Sequence, residues 1–129
     1  MKHIFNPGDI KEFRSVVRTE DVARFHGVVV HEVCSTFALA RDIEWTTRQF
    51  VLDMKEDDEE GVGTYLQIKH MGPAFVGEEI TFRGIFDHLT DNELVCSFEA
   101  FVGDREIARG KTGQKILKVD KIKSIFNHG

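Results

Sequence analysis

Residues 35–54 read STFALARDIEWTTRQFVLDM, and whether they form one helix decides how the rest of the chain is read. At ~100° per residue, Leu39, Ala40, Ile43, Thr47, Phe50, Val51 and Met54 share one face. Asp42, Gln49 and Asp53 fall on the opposite side. Ser35 or Thr36 is placed to cap the first turn, and the acidic run Glu56 to Glu60 marks the exit. The spacing therefore predicts an amphipathic helix from about Ser35 to Met54.

After the helix the apolar period falls from near four to two. Gly63 to Met71 reads as a strand with Thr64, Leu66, Ile68 and His70 on one face, directed at the helix. Glu79 to Leu89 is a second strand, with Ile80, Phe82, Gly84 and Phe86 together. Asp91-Asn92 turns the chain into a third, Glu93 to Val102, and Gly103-Asp104 into a fourth, Arg105 to Val119. The short connections predict that these four strands form an antiparallel meander. Before the helix, Phe13 to Arg18 reads as a short strand and Thr19 to Phe25 as a short helix ended by Gly27. Asp120 to Gly129 reads as a frayed end or short helix. The order is that of an α+β domain, a long helix wrapped by an antiparallel sheet of about five strands.

Bulk properties bound the function. The 129 residues suit a single domain spanning 1–129, with its core at about 13–119. A net charge of −5 argues against nucleic acid as a partner, because neutralising phosphates takes clustered Lys and Arg. Basic residues do recur late, at Arg105, Arg109, Lys111, Lys115, Lys118, Lys121 and Lys123. They serve either solubility or a small anion such as a phosphorylated cofactor. Cys34 and Cys96 form neither a metal motif nor a disulfide framework, and read as buried thiols. No apolar stretch approaches 18 residues and no signal-peptide core is visible, so the expectation is a cytoplasmic protein without membrane contact.

Three places hold residues able to do chemistry. Glu44 lies at the margin of the helix's apolar face, where partial desolvation suits a general base; equally, it is placed to pair with Arg41 or Arg48. His70 ends its strand immediately before Gly72-Pro73, on a rim where reactive groups sit, or it is a hydrogen-bonded structural histidine. Ser35 and Thr36 are N-caps, or hydroxyls beside free helix N–H groups that hold an oxyanion. Thr36 and Glu44 stand eight positions apart. On one continuous helix that is ~12 Å along the axis. Hence either the helix starts after Thr36 and the chain folds back, or residues of two subunits meet.

These segments resemble a known family. "VCST" entering the helix, "IE" within it, "GVGTYLQIKH", "GPAFVGEEITF" and "IARGKTGQKIL" are similar to single-hotdog acyl-CoA thioesterases, most closely the fluoroacetyl-CoA thioesterase-like branch, over roughly Val17 to Val119. The resemblance implies hydrolysis of an acyl-CoA to a carboxylic acid and CoA. It carries the family's catalytic Thr, Glu and His onto Thr36, Glu44 and His70, and its strand glycine onto Gly63. Ser35, Phe37, Gly63 and Gly72 become candidate substrate-binding residues. Coenzyme A enters as part of the substrate, with no metal or other cofactor. A homodimer with sites at the interface is also implied. The chain departs from the family at two places. The last strand often reads Gly-x-His-x-Arg, whereas this chain has Gly110, Thr112 and Gln114; the family's Thr-Pro is here Thr36-Phe37.

Two other readings compete. A hotdog enoyl-CoA hydratase uses Asp-x-x-x-x-His, and the nearest residues here, His31 and Glu32, stand in the wrong order. A non-catalytic acyl-CoA-binding protein keeps the same pocket without needing Glu44 and His70 together.

Overall fold

The structure is a computed structural model and describes residues 1–25 and 27–128. The central helix α1 (Thr36–Met54) runs without a break, capped by Ser35, whose Oγ accepts from the Ala38 N–H at 3.0 Å. Its inner face buries Leu39, Ile43, Phe50, Val51 and Met54 as the periodicity predicts, together with Ala38 and Thr46. Thr46 tolerates that burial because its hydroxyl donates to the Asp42 carbonyl one turn back, at 2.7 Å.

The helix lies on a five-stranded antiparallel sheet made of β1 (Ile10–Val16), β4 (Glu59–His70), β5 (Glu79–Thr90), β6 (Glu93–Val102) and β7 (Arg105–Lys118). Ile80, Phe82 and Phe86 of β5 and Leu94, Cys96, Phe98 and Ala100 of β6 point inward, as the alternation requires. Gly84 sits between Phe82 and Phe86, under Thr46 and Thr47 of the helix. A Cβ there would stand 3.3 Å from Thr47 Cγ2 and 3.4 Å from Thr46 Cγ2, so the missing side chain sets the helix–sheet distance.

Three expectations are corrected. The order is β1-β5-β6-β7-β4, so β5, β6 and β7 form a meander while β4 pairs with β7 at the far edge. β1 occupies the edge of β5 that a simple meander would give to β4. Residues 71–78 make the crossover: an eight-residue segment reaches ~25 Å, more than three strand spacings of ~4.8 Å. They are tied to the start of α1 by the Cys34 N–H, which donates to the Ala74 carbonyl at 2.8 Å.

Thr19 to Phe25 is not a helix. Only Thr19–Asp21 forms a 3-10 turn, held by Asp21 Oδ2 accepting from the Arg18 N–H at 3.0 Å. Val22–Phe25 is strand β2, which pairs with β3 (Val28–Cys34) in a separate two-stranded ribbon. Gly27, at φ +79°, sits in the turn between them. The acidic turn residues hid a following run rich in β-branched and aromatic side chains.

The third correction is the phase of β4. A bulge lies between Gly63 and Tyr65, with Gly63 opposite Gln114 and Tyr65 opposite Gly113, so Thr64 is the extra residue. Thr64 lies on the outer face: a Cβ on outward Gly113 would meet Thr64 Oγ1 at 2.6 Å and the Tyr65 ring at 2.5 Å. Leu66 and Ile68 keep their expected inward packing. Gly61 and Gly63, not Thr64, continue that face. The tail forms helix α2 (Val119–His128).

Candidate active site

The start of α1 and the end of β4 meet. Ser35 takes the capping role, which frees the neighbouring hydroxyl: Thr36 Oγ1 lies 3.0 Å from His70 Nδ1. Both side chains are exposed. His70 reaches this place because it faces inward on β4, opposite Ala108 of β7, at the level of the first helical turn. The bond is made by a hydroxyl and an imidazole nitrogen, and the tautomer decides which donates.

Glu44 does not join them. Because α1 is continuous, Thr36 and Glu44 are ~12 Å apart along its axis, and the alternative of a fold-back after Thr36 is removed. Glu44 is exposed, without the desolvation expected from its place on the wheel, and neither Arg41 nor Arg48 pairs with it. Arg41 bonds Asp42 at 3.1 Å and buried Asp21 at 3.2 Å, whereas Arg48 bonds Glu60 at 2.8 Å. The Glu60 carboxyl is held below the ordinary range by the Gly61 N–H and then by Arg48.

Glu44 instead borders a cavity of about 480 Å³ between α1 and the β4–β7 edge, where Trp45, Gly63, Tyr65, Thr112 and Gln114 also stand. Gly63 is the narrow part of β4 here. A Cβ on it would meet nothing within 4 Å, so the space over it is open to a ligand. Sequence reasoning missed Trp45, Tyr65, Thr112 and Gln114 as lining residues. The inward alternation of Thr112, Gln114 and Ile116 along β7 was the available signal.

The remaining candidates separate. Ser35 is committed to the cap and Phe37 projects from the helix, 83% exposed. Gly72 donates its N–H to the Ile107 carbonyl at 3.2 Å, so that group is not free for an oxyanion. Burial drives the Cys34 thiol up to about 11, with Asp21 and Asp42 adding to it, and the Cys96 thiol up to about 12. Neither is a nucleophile at neutral pH. Among the described residues no cluster of three or more His, Cys, Asp or Glu could hold a metal ion, and no helix is long and apolar enough to cross a membrane.

A long helix laid on a five-stranded antiparallel sheet of order β1-β5-β6-β7-β4 defines a hotdog-fold protein. The comparisons place it further: residues 17–120 match the family model FlK, fluoroacetyl-CoA-specific thioesterase, and the chain belongs to that thioesterase family. It is thereby a thioester hydrolase. A Thermus thermophilus protein described as a thioesterase superfamily member is 26% identical, with a TM-score of 0.92 over 98% of this chain and 93% of its own. The fluoroacetyl-CoA thioesterase FlK is 17% identical, with a TM-score of 0.88 and 96% of each chain covered. A hot-dog-like protein from Thermanaerovibrio acidaminovorans is 19% identical, with a TM-score of 0.88 over 96% of this chain and 92% of its own. The last two likenesses bear on the fold. No curated protein sequence matches the chain.

Proposed function

We propose that the protein hydrolyses an acyl-CoA at sites shared between two copies of the chain, Thr36 and His70 from one and Glu44 and Gly63 from the other. The observation carrying this is the Thr36–His70 bond, made at the helix start while Glu44 and the cavity lie two turns away. Three further features support a second copy. β4 leaves one edge of twelve residues unpaired, and such edges are normally covered. Trp45 and Tyr65, which border the cavity, and Phe37 in the first turn of α1 are large apolar side chains left exposed. A hydroxyl–imidazole pair open to water also lacks the dry surroundings in which oxyanion stabilisation is strong.

In the proposed reaction Thr36 Oγ1 adds to the thioester carbonyl as His70 Nδ1 takes its proton. N–H groups at the start of α1 or beside Gly63 hold the oxyanion. Collapse breaks the C–S bond, and the His70 proton passes to the departing CoA sulfur. Glu44 then takes a proton from water as the water oxygen attacks the acyl carbon of the Thr36 ester. Collapse breaks the bond between that carbon and Thr36 Oγ1, the proton passes from Glu44 to Thr36 Oγ1, and the carboxylic acid leaves. CoA is part of the substrate, and the chemistry requires no further cofactor.

Complementation tests the shared site. Thr36→Ala and Glu44→Ala are each expected to be inactive. Mixed under subunit exchange, half of the dimers are mixed, and each mixed dimer has one intact site. Activity should therefore return to about a quarter of wild type. No recovery after demonstrated exchange rules out the shared site. A wild-type protein that turns over no acyl-CoA rules out the reaction itself.

A further inference from the structure

The cavity beside Glu44 has charged residues at its rim and a neutral polar floor. At the rim, Arg41 and Arg48 each carry their own carboxylates. At the floor, Thr47 of α1 and Thr112 and Gln114 of β7 are 0%, 2% and 8% exposed. The orientation of the Gln114 amide follows from its neighbour. Thr47 Oγ1 lies 3.4 Å from the carbonyls of both Ile43 and Glu44, so its proton is given to the helix. It must then accept from Gln114, at 3.3 Å, which assigns Nε2 to that contact and leaves Oε1 as an acceptor. Thr112 Oγ1 is buried and has no hydrogen-bond partner. A buried hydroxyl left unpaired is rare in native structures, so Thr112 holds hydrogen-bonding capacity that none of the described residues uses.

We propose that Thr112 and Gln114 form a subsite for the end of the acyl chain and select short acyl groups ending in a hydroxyl over alkyl groups of equal size. The proposal rests on the thioesterase reading, which places the acyl group in this cavity. A terminal hydroxyl donates to Gln114 Oε1 and accepts from Thr112, whose hydroxyl breaks no hydrogen bond when rotation about χ1 directs it at the ligand. A methyl in the same position leaves both polar groups unpaired, and a site built to bond a hydroxyl discriminates strongly against the analogue lacking it. A terminal carboxylate meets no cation at the floor, since both arginines are engaged at the rim.

The test compares 3-hydroxypropionyl-CoA, butyryl-CoA and succinyl-CoA, the first two being near-isosteric. Wild type should favour the hydroxyl ester in kcat/KM by at least about tenfold over each of the others. Gln114→Leu and, separately, Thr112→Val should bring the hydroxyl-to-methyl ratio toward one; Thr112→Val keeps the shape of its residue, so the test survives if the leucine variant fails to fold. A wild-type ratio near one, or a ratio that neither variant changes, overturns the subsite. If wild type hydrolyses none of the three, calorimetric binding of the intact esters decides. A preference for the hydroxyl ester that Thr112→Val removes upholds the subsite and sinks only the hydrolysis; equal affinities sink the subsite as well.

Discussion

Replacing Thr36 by alanine should separate catalysis from folding. The structure gives helix capping to Ser35, whose Oγ accepts from Ala38, so Thr36→Ala leaves the first turn satisfied. What disappears is one exposed hydrogen bond to His70 Nδ1, worth about 0.5–1.5 kcal/mol net. Alanine's better helix propensity offsets up to ~0.7 kcal/mol of that. The net change in unfolding free energy, measured by urea titration, should stay within about 1 kcal/mol. Ser35→Ala, which removes the cap, should instead cost about 1 kcal/mol in stability. In kcat the order reverses, because on the proposed mechanism Thr36→Ala removes the attacking hydroxyl itself. The expected loss is about 10²–10⁴-fold, equivalent to ~2.7–5.4 kcal/mol of transition-state stabilisation. Because Thr36 and His70 act through one bond, the double variant Thr36→Ala/His70→Ala should be little worse than either single one. A kcat loss under tenfold for Thr36→Ala, or a double variant equal to the product of the singles, would refute the reasoning.

The glycine of the bulged strand offers a second separation. Gly63→Ala meets no atom of its own chain within 4 Å, so stability should change by less than ~1 kcal/mol while kcat/KM falls; retained activity would mean the acyl-CoA does not approach that backbone. Gly110→Ala behaves oppositely, since its Cβ would lie 1.8 Å from the Gln67 carbonyl oxygen. About 3 kcal/mol or more of stability should be lost on melting, and a near-native midpoint would contradict the β4–β7 packing. The two thiols should resist alkylation at pH 8 until the protein unfolds, which iodoacetamide labelling across a urea series measures. The sign of their linkage follows from raised folded values of about 11 and 12: the folded state holds its protons more tightly, so stability declines as pH rises above about 9.

Much of the fold was legible because it rests on short-range periodicity. The helix face, the inward alternation of β5 and β6, and the turns at Asp91 and Gly103 all depend on residues within a few positions of one another. The strand β2 was not legible because Thr19-Glu20-Asp21 gives a local helix-start signal, while the pairing that makes Val22–Phe25 a strand comes from β3. The place of β4 was hidden for a similar reason. A connection of eight residues permits either a hairpin or a crossover, and only β1's occupation of the edge of β5 excludes the hairpin.

The candidate site divides along the same line. By itself the sequence determined that a hydroxyl stands at the helix start, a carboxylate two turns further on, and an imidazole at a strand end, since those placements are fixed by helix and strand repeats. It also determined that Thr36 and Glu44 are too far apart on one helix to share a bond. Only the tertiary structure decided that Ser35 caps while Thr36 turns to His70, that a bulge moves Thr64 outward and sets Gly63 beside the cavity, and that Thr112 is buried without a partner. Those outcomes depend on register between strands far apart in sequence. A shift of one residue reverses every side chain beyond it, and nothing local in the chain records such a shift.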